Sequence, residues 1–304
     1  MNNNESNEQD PQHNKSRLQF FYSLLAVIGL TFVNVSIPVF TIAVVIIWPL
    51  PVVYLAINQG QRRAGMMIVL AAVINGLLFN PLMSMVTVVG FGFIGFVMAG
   101  ALQENFPPRR VLLMTVGAAV LSNLILAGFL TLGYEQGFRQ GFAEMIREYA
   151  APLIEGEDMT TMLEIQLQFI LQLLPALLIV SGVITGILNY YFVHWFLALK
   201  NIKVKIFKSI AYWRFPAGIL SFLVVIGLLL RQNIIMFNLT ALVFFFIFIQ
   251  GFGVGLYYVG KRTRSSLFRW FYVLAVIVIP IFPVILMAVG LLDLWLDLRK
   301  ISYN

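Results

Sequence analysis

The chain of 304 residues is 60% hydrophobic and 11% charged, with a mean hydropathy of +0.90; that balance lies outside the range of soluble globular domains and excludes soluble α/β architectures. It has no cysteine, which excludes disulfides, thiolate metal sites, iron–sulfur clusters and a cysteine nucleophile. The net charge of +7 is gathered between apolar runs, so it reads as membrane orientation and nucleic acid is not an expected partner.

The first 17 residues, MNNNESNEQDPQHNKSR, are polar and predict a disordered cytoplasmic tail. A spanning helix needs about 20 apolar residues, because the backbone must satisfy its own hydrogen bonds across about 30 Å of hydrocarbon. Runs of that kind fall at about 18–35, 38–57, 64–80, 82–102, 111–133, 161–197, 215–230, 234–259 and 269–298, which predicts an all-α polytopic bundle of nine spans. The first run is followed by no small-residue cleavage site and reads as a retained helix rather than a signal peptide.

Charge orients these spans. Lys15 and Arg17 precede the first, Arg62 and Arg63 follow the second, and Arg109 and Arg110 follow the fourth. Lys200, Lys203, Lys205, Lys208 and Arg214 follow the sixth, and Lys261, Arg262, Arg264 and Arg269 follow the eighth. The positive-inside rule then places the N-terminus in the cytoplasm of a bacterial cell, with the protein in its inner membrane. The acidic stretch 134–164, with Glu135, Glu144, Glu148, Glu155, Glu157, Asp158 and Glu164, belongs outside. Within it Phe138, Phe142, Met145, Ile146 and Tyr149 recur at helical spacing and predict a short amphipathic helix. Nine crossings put the C-terminus outside, with Arg299 and Lys300. Pro280 and Pro283 interrupt the last span, which is expected as one kinked helix; a re-entrant hairpin at 279–283 is the alternative that returns the tail to the cytoplasm.

Gly90-Phe91-Gly92-Phe93-Ile94-Gly95 matches the dinucleotide pattern G-x-G-x-x-G, but it sits inside a membrane helix without the strand and acid that the fingerprint needs. Gly92, Gly95 and Ala99, and the pair Gly251 and Gly255, instead predict close helix contacts. Thr161 and Glu164 form a T-x-x-E capping box, so the sixth helix starts before the bilayer. Glu164, Gln168, Gln172, Pro175, Gly182, Gly186 and Asn189 then share one side of it, and such a polar stripe must face other helices or a wet cavity. Further intramembrane amides are Asn34, Asn75, Asn80 and Asn123. Asn80, Asn123, Gln168 and Gln172 are the candidate ligand-binding residues.

No Asp, Glu, Lys or Arg interrupts the spans from 18 to 102 or from 165 to 230, so the chemistry of a proton relay or an intramembrane metalloprotease is missing. His13 in the tail and His194 beside Trp195 read as interfacial groups rather than metal ligands. No cofactor, metal or catalytic residue is expected. The loop 200–214 interleaves lysines with Ile202, Ile206, Phe207 and Ile210 and is expected to touch anionic lipid. Asn34-Val35-Ser36 and Asn238-Leu239-Thr240 are formal sequons without a role here.

Trp48-Pro49-Leu50-Pro51, Asn80-Pro81, the basic loop 200–214 and the terminal Leu292-Asp293-Leu294-Trp295-Leu296-Asp297-Leu298-Arg299-Lys300 give the chain a pattern that resembles the YybS-like multispanning membrane proteins. In number, orientation and acidic outer loop, the first six spans are similar to the S-components of energy-coupling factor vitamin transporters. That likeness implies an outward-facing small-molecule site formed by the fourth to sixth helices, and a coupling module docking on small residues of the first helix, here Ser23, Ala26 and Gly29. The expected organisation is a tail over 1–17, a six-helix unit over 18–199, and a basic loop with three further helices over 200–304. The first functional reading is non-enzymatic binding or uptake of a small solute, with the bilayer, that solute and a membrane or cytoplasmic coupling protein as candidate partners. The alternative is a scaffold whose basic loops recruit a partner to the membrane.

Overall fold

The structure is a computed structural model that describes residues 11–130, 138–150, 157–230, 233–263 and 265–301. Residues 1–10, Glu135, Glu155 and Arg264 lie outside the described residues. The helices are α1 (Pro11–Ser36), α2 (Thr41–Ile47), α3 (Pro49–Gln59), α4 (Gln61–Leu78), α5 (Pro81–Met85), α6 (Phe93–Gln103), α7 (Pro108–Leu130), α8 (Phe138–Ala150), α9 (Glu157–Leu199), α10 (Ala217–Leu229), α11 (Ile234–Arg262), α12 (Ser266–Val278) and α13 (Ile281–Leu296). A π-helical turn over Val86–Gly92 joins α5 to α6. The all-helical, polytopic character expected from composition is what the described residues form.

The number of crossings differs. Among the described residues, Asn14–Ser36, Thr41–Gln59, Pro81–Gln103, Pro108–Phe129, Met159–Leu199 and Ile234–Arg262 are by length and composition able to cross a bilayer, with α12 and α13 together making up to a seventh. The 18 residues of α4 rise about 27 Å but open on Gln61, Arg62 and Arg63, which makes it the marginal crossing, whereas the 13 residues of α10 rise only about 20 Å, short of the hydrocarbon thickness. Helix α1 begins at Pro11, inside the segment read as tail.

Local chemistry sets the boundaries. Helices α3, α5 and α7 each open on a proline, whose missing N–H is one that a first turn leaves unpaired anyway. Gly60 ends α3 at φ 89°, a conformation that costs a glycine nothing. Asn233 and Ser265 cap α11 and α12 by accepting from Ile235 N at 2.9 Å and Leu267 N at 3.3 Å. The expected capping box is not formed: α9 starts at Glu157, which puts Thr161 inside the helix, and Glu164 forms a bidentate ion pair with Arg147 of α8 at 2.7 and 2.9 Å. A forked, charge-assisted pair outcompetes a carboxylate reaching back to one backbone N–H.

The chain divides into two compact units, 1–145 with 181–207, and 146–180 with 208–304. Helix α9 therefore gives its first half to the second unit and its second half to the first. In the first unit, Trp48 stacks on Phe91 with ring centroids 3.6 Å apart. A Cβ on Gly95 would lie 2.8 Å from Val52 Cβ and 3.0 Å from Pro49 O, so the expected close approach at the glycine run is real. Gly182 and Gly186 of α9 bring Val120 and Val116 of α7 equally close, with Cα atoms 2.5 and 2.6 Å from a built Cβ.

The second unit is organised around α11. Leu220, Val243, Ile247 and Leu294 form its core. Gly251 faces Leu286 O and Gly290 backbone to backbone. Helices α12 and α13 are bent by 109° at their break. Gly260 lies beside Arg269, and Tyr272 donates to Phe252 O at 3.1 Å, so α12 runs away from the C-terminal end of α11. Gly290 lies beside Gly251, Asp293 accepts from Gln250, and Tyr258 donates to Leu298 O at 2.7 Å, so α13 returns to that end. The expected single kinked span is thus replaced by the hairpin alternative. Pro280 and Pro283 free enough backbone to turn the chain, and α11 supplies the surface on which both arms lie.

Candidate functional site

Of the four amides singled out from sequence, Asn80 and Asn123 belong to the first unit and Gln168 and Gln172 to the second. Asn80 caps α5, accepting from Met83 N at 3.1 Å. Asn123 of α7 donates to Ser181 Oγ of α9 at 2.9 Å. Gln168 and Gln172 are exposed on α9, along with Pro175, whereas Leu167, Leu171 and Leu174 are buried. The stripe is therefore split: Gly182, Gly186 and Asn189 face inward in the first unit, and the glutamines face outward from the second. Leu167, Leu171 and Leu174, each one residue before one of these positions and so about 100° round the helix, fill the packing space there.

A different polar cluster lies in the core of the first unit. Asn75 of α4 is fully buried and donates through Nδ2 to Thr31 Oγ1 of α1 at 2.8 Å and to Thr87 Oγ1 of the π turn at 2.9 Å. The two threonines are fixed by their own helices, donating to Val27 O at 2.9 Å and Met83 O at 2.7 Å. Ser84 Oγ donates to Ala72 O at 2.8 Å, and Ser122 Oγ donates to Val89 O, inside the π turn, at 2.6 Å. A π turn displaces the regular carbonyl pattern and recurs at functional sites. Both donors of Asn75 are engaged, yet its Oδ1 is buried without a donor, and so is Oδ1 of Asn34, three residues beyond Thr31 on α1. An unpaired buried acceptor costs about 1–3 kcal/mol, so each of these two oxygens would gain from a hydrogen-bond donor. Its described side chains are hydroxyls and carboxamides, which interact by hydrogen bonding.

Other carboxamides repair breaks in the backbone. Asn189 lies against Val45 O and Ile46 O at 3.0 and 3.1 Å with its nitrogen turned to them, and Val45 O is the carbonyl that Pro49 leaves without a helical donor. At Pro175, Asn238 accepts from Ala176 N at 3.0 Å and donates to Gln172 O at 2.8 Å. Those are the two groups that a regular helix would join to each other.

Sequence reading missed the polar centre of the second unit. Asp293 and Arg299 are both buried and lie 2.8 Å apart. Arg299 also donates to Ala211 O and Trp213 O, each at 2.7 Å, and Gln250 bridges from Asp293 Oδ2 at 2.6 Å to Phe215 N at 3.2 Å. Arg214 pairs with Asp297 at 2.8 Å beside it. This clamp fastens the end of the basic loop to α11 and α13. Its signal was an acid inside the apolar run Leu291–Leu296, which sequence reading took only as part of the terminal pattern Leu292–Lys300.

A family model described as "Predicted membrane protein (DUF2232)" matches residues 23–294, nearly the whole helical part of the chain. The chain belongs to this family. No curated protein and no solved structure matches it. The DUF2232 match takes in every residue of the Asn75 cluster, together with Gln250 and Asp293 of the clamp.

Proposed function

We propose that this multi-pass membrane protein binds or helps import a small solute, without catalysing a reaction, through the cluster of Thr31, Asn34, Asn75 and Thr87. The carrying observation is the buried, donor-free Oδ1 of Asn75 at a π turn. Acceptors without charge select a ligand that donates hydrogen bonds, such as an amine, amide or hydroxyl compound. With the N-terminus in the cytoplasm, Asn75 lies in the outer half of α4, and the site opens outward as the analogy to S-components implies. Asn80, about one and a half turns beyond Asn75, and Asn123 are the sequence candidates that fit this reading best; Gln168 and Gln172 are candidates for the access route.

The test is extraction of gently purified protein and mass-spectrometric identification of what it carries. A reproducible polar solute is expected from the parent protein and from Gln172→Leu, and is lost from the folded fraction of Asn75→Leu. A parent that carries nothing, or an Asn75→Leu protein that carries the same amount, overturns the assignment.

The scaffold reading draws support from one observation: Lys203 and Lys205 are exposed while Ile202 before them and Val204 between them are half-buried, which presents a strip of positive charge. A cytoplasmic protein co-purifying in fixed stoichiometry, and lost on Lys203→Glu with Lys205→Glu, supports it.

A further inference from the structure

We propose that the groove between the N-terminal turns of α1 and α4 is a binding site for the phosphate headgroup and upper acyl chain of an anionic phospholipid. The groove encloses about 530 Å³ within the first unit, within the range of sites that hold drug-sized ligands. Ser16, Arg17, Gln59 and Arg63 form its polar part, and Phe20, Phe21 and Met66 its apolar part. The polar part is assembled in advance. Gln59 donates to Ser16 O at 2.8 Å and to Gln19 Oε1 at 3.0 Å, and Arg63 Nη1 donates to Gln59 Oε1 at 3.0 Å and to Ser16 Oγ.

These bonds hold the Arg63 guanidinium on neutral acceptors, and among the described residues no carboxylate lines the groove beside its two positive charges, Arg17 and Arg63. A planar guanidinium donates two parallel hydrogen bonds to a phosphate, which a lysine cannot do. The apolar part lies on the hydrocarbon side of the charges. Phe21 follows Arg17 by four residues on α1, and Met66 follows Arg63 by three on α4, so each sits one turn further on the same helix face. Phe21 is 52% and Met66 59% exposed. Charge at one level and open apolar side chains at the next match an amphiphile rather than a free anion.

The experiment is native mass spectrometry of the full chain in detergent with dioleoylphosphatidylglycerol or dioleoylphosphatidylcholine added. The parent is expected to retain one phosphatidylglycerol at about tenfold higher occupancy than phosphatidylcholine, a difference of about 1.4 kcal/mol. Arg17→Gln with Arg63→Gln, and to a lesser degree Arg17→Gln alone, removes that preference. Arg62→Gln deletes a neighbouring charge that does not line the groove and leaves the preference in place. Equal loss in Arg62→Gln, or an undiminished preference in the double variant, overturns the site. Full displacement by inorganic phosphate assigns it to a free anion instead. A large rise in lipid occupancy on neutralising Glu5, Glu8 and Asp10 assigns it to the chain's own acidic segment.

Discussion

Buried carboxamides in this protein stand where the backbone is interrupted. Asn238 takes both partners of the hydrogen bond that Pro175 disturbs, and Asn189 meets the carbonyl freed by Pro49. In hydrocarbon such groups have no water to turn to, and each orphan costs about 1–3 kcal/mol. Asn238→Leu is therefore expected to destabilise the protein by about 2–4 kcal/mol, read as a fall in the thermal midpoint in detergent. Gln172→Leu, on an exposed side chain, should stay within about 0.5 kcal/mol of the parent. A larger loss in Gln172→Leu than in Asn238→Leu contradicts this division of roles. Sequence reading saw the prolines and most of the amides. It could not pair Asn238 with Pro175, because residues more than 60 positions apart meet only once the helices are packed.

At the scale of elements, the crossings of α11 differ in kind. Gly251 meets the backbone of Leu286, whereas Gly255 meets the ring of Tyr272, which a rotamer change can move. Both substitutions to leucine should lower folding yield, and Tyr272→Ala should rescue Gly255→Leu but not Gly251→Leu. Rescue of both would mean that the backbone contact at Gly251 is not limiting. The glycine spacing was legible because small residues four apart are a local signal. The hairpin of α12 and α13 was not, since a kinked span and a re-entrant pair have the same apolar pattern; Tyr258 on Leu298 and Gln250 on Asp293 decide between them. In this cysteine-free chain, single cysteines at Arg262 and Lys300 are expected to label from the same side of the membrane. Labelling from opposite sides would restore the single crossing.

For the whole molecule, composition was enough to read a helical membrane protein, and span boundaries fell within several residues of the helices found. The division into compact units was not legible, because α9 is one uninterrupted apolar helix whose two halves bury different faces: Leu167, Leu171 and Leu174 in one, Gly182, Gly186 and Asn189 in the other. The basic and acidic loops predict that cysteines at Arg62, Arg109 and Lys203 are reached from the cytoplasm and one at Glu148 from outside. A cysteine at Glu148 that reacts only after permeabilisation reverses the orientation. The clamp is the strongest stability prediction at this scale. Arg299→Ala leaves Asp293 buried and unpaired and should cost about 3–5 kcal/mol, with new protease cleavage in the 208–216 segment preceding global unfolding.

The clamp also has a consequence in time. Arg299 is joined to the ribosome's product 88 residues after Ala211, whose carbonyl it must hold. At about 5–20 residues per second, the segment around Ala211 and Trp213 waits about 4–18 s for its latch while the helices between are made and inserted. A chain released in that interval carries most of its membrane helices but lacks Arg299, and with it the clamp that holds the segment around Ala211 and Trp213.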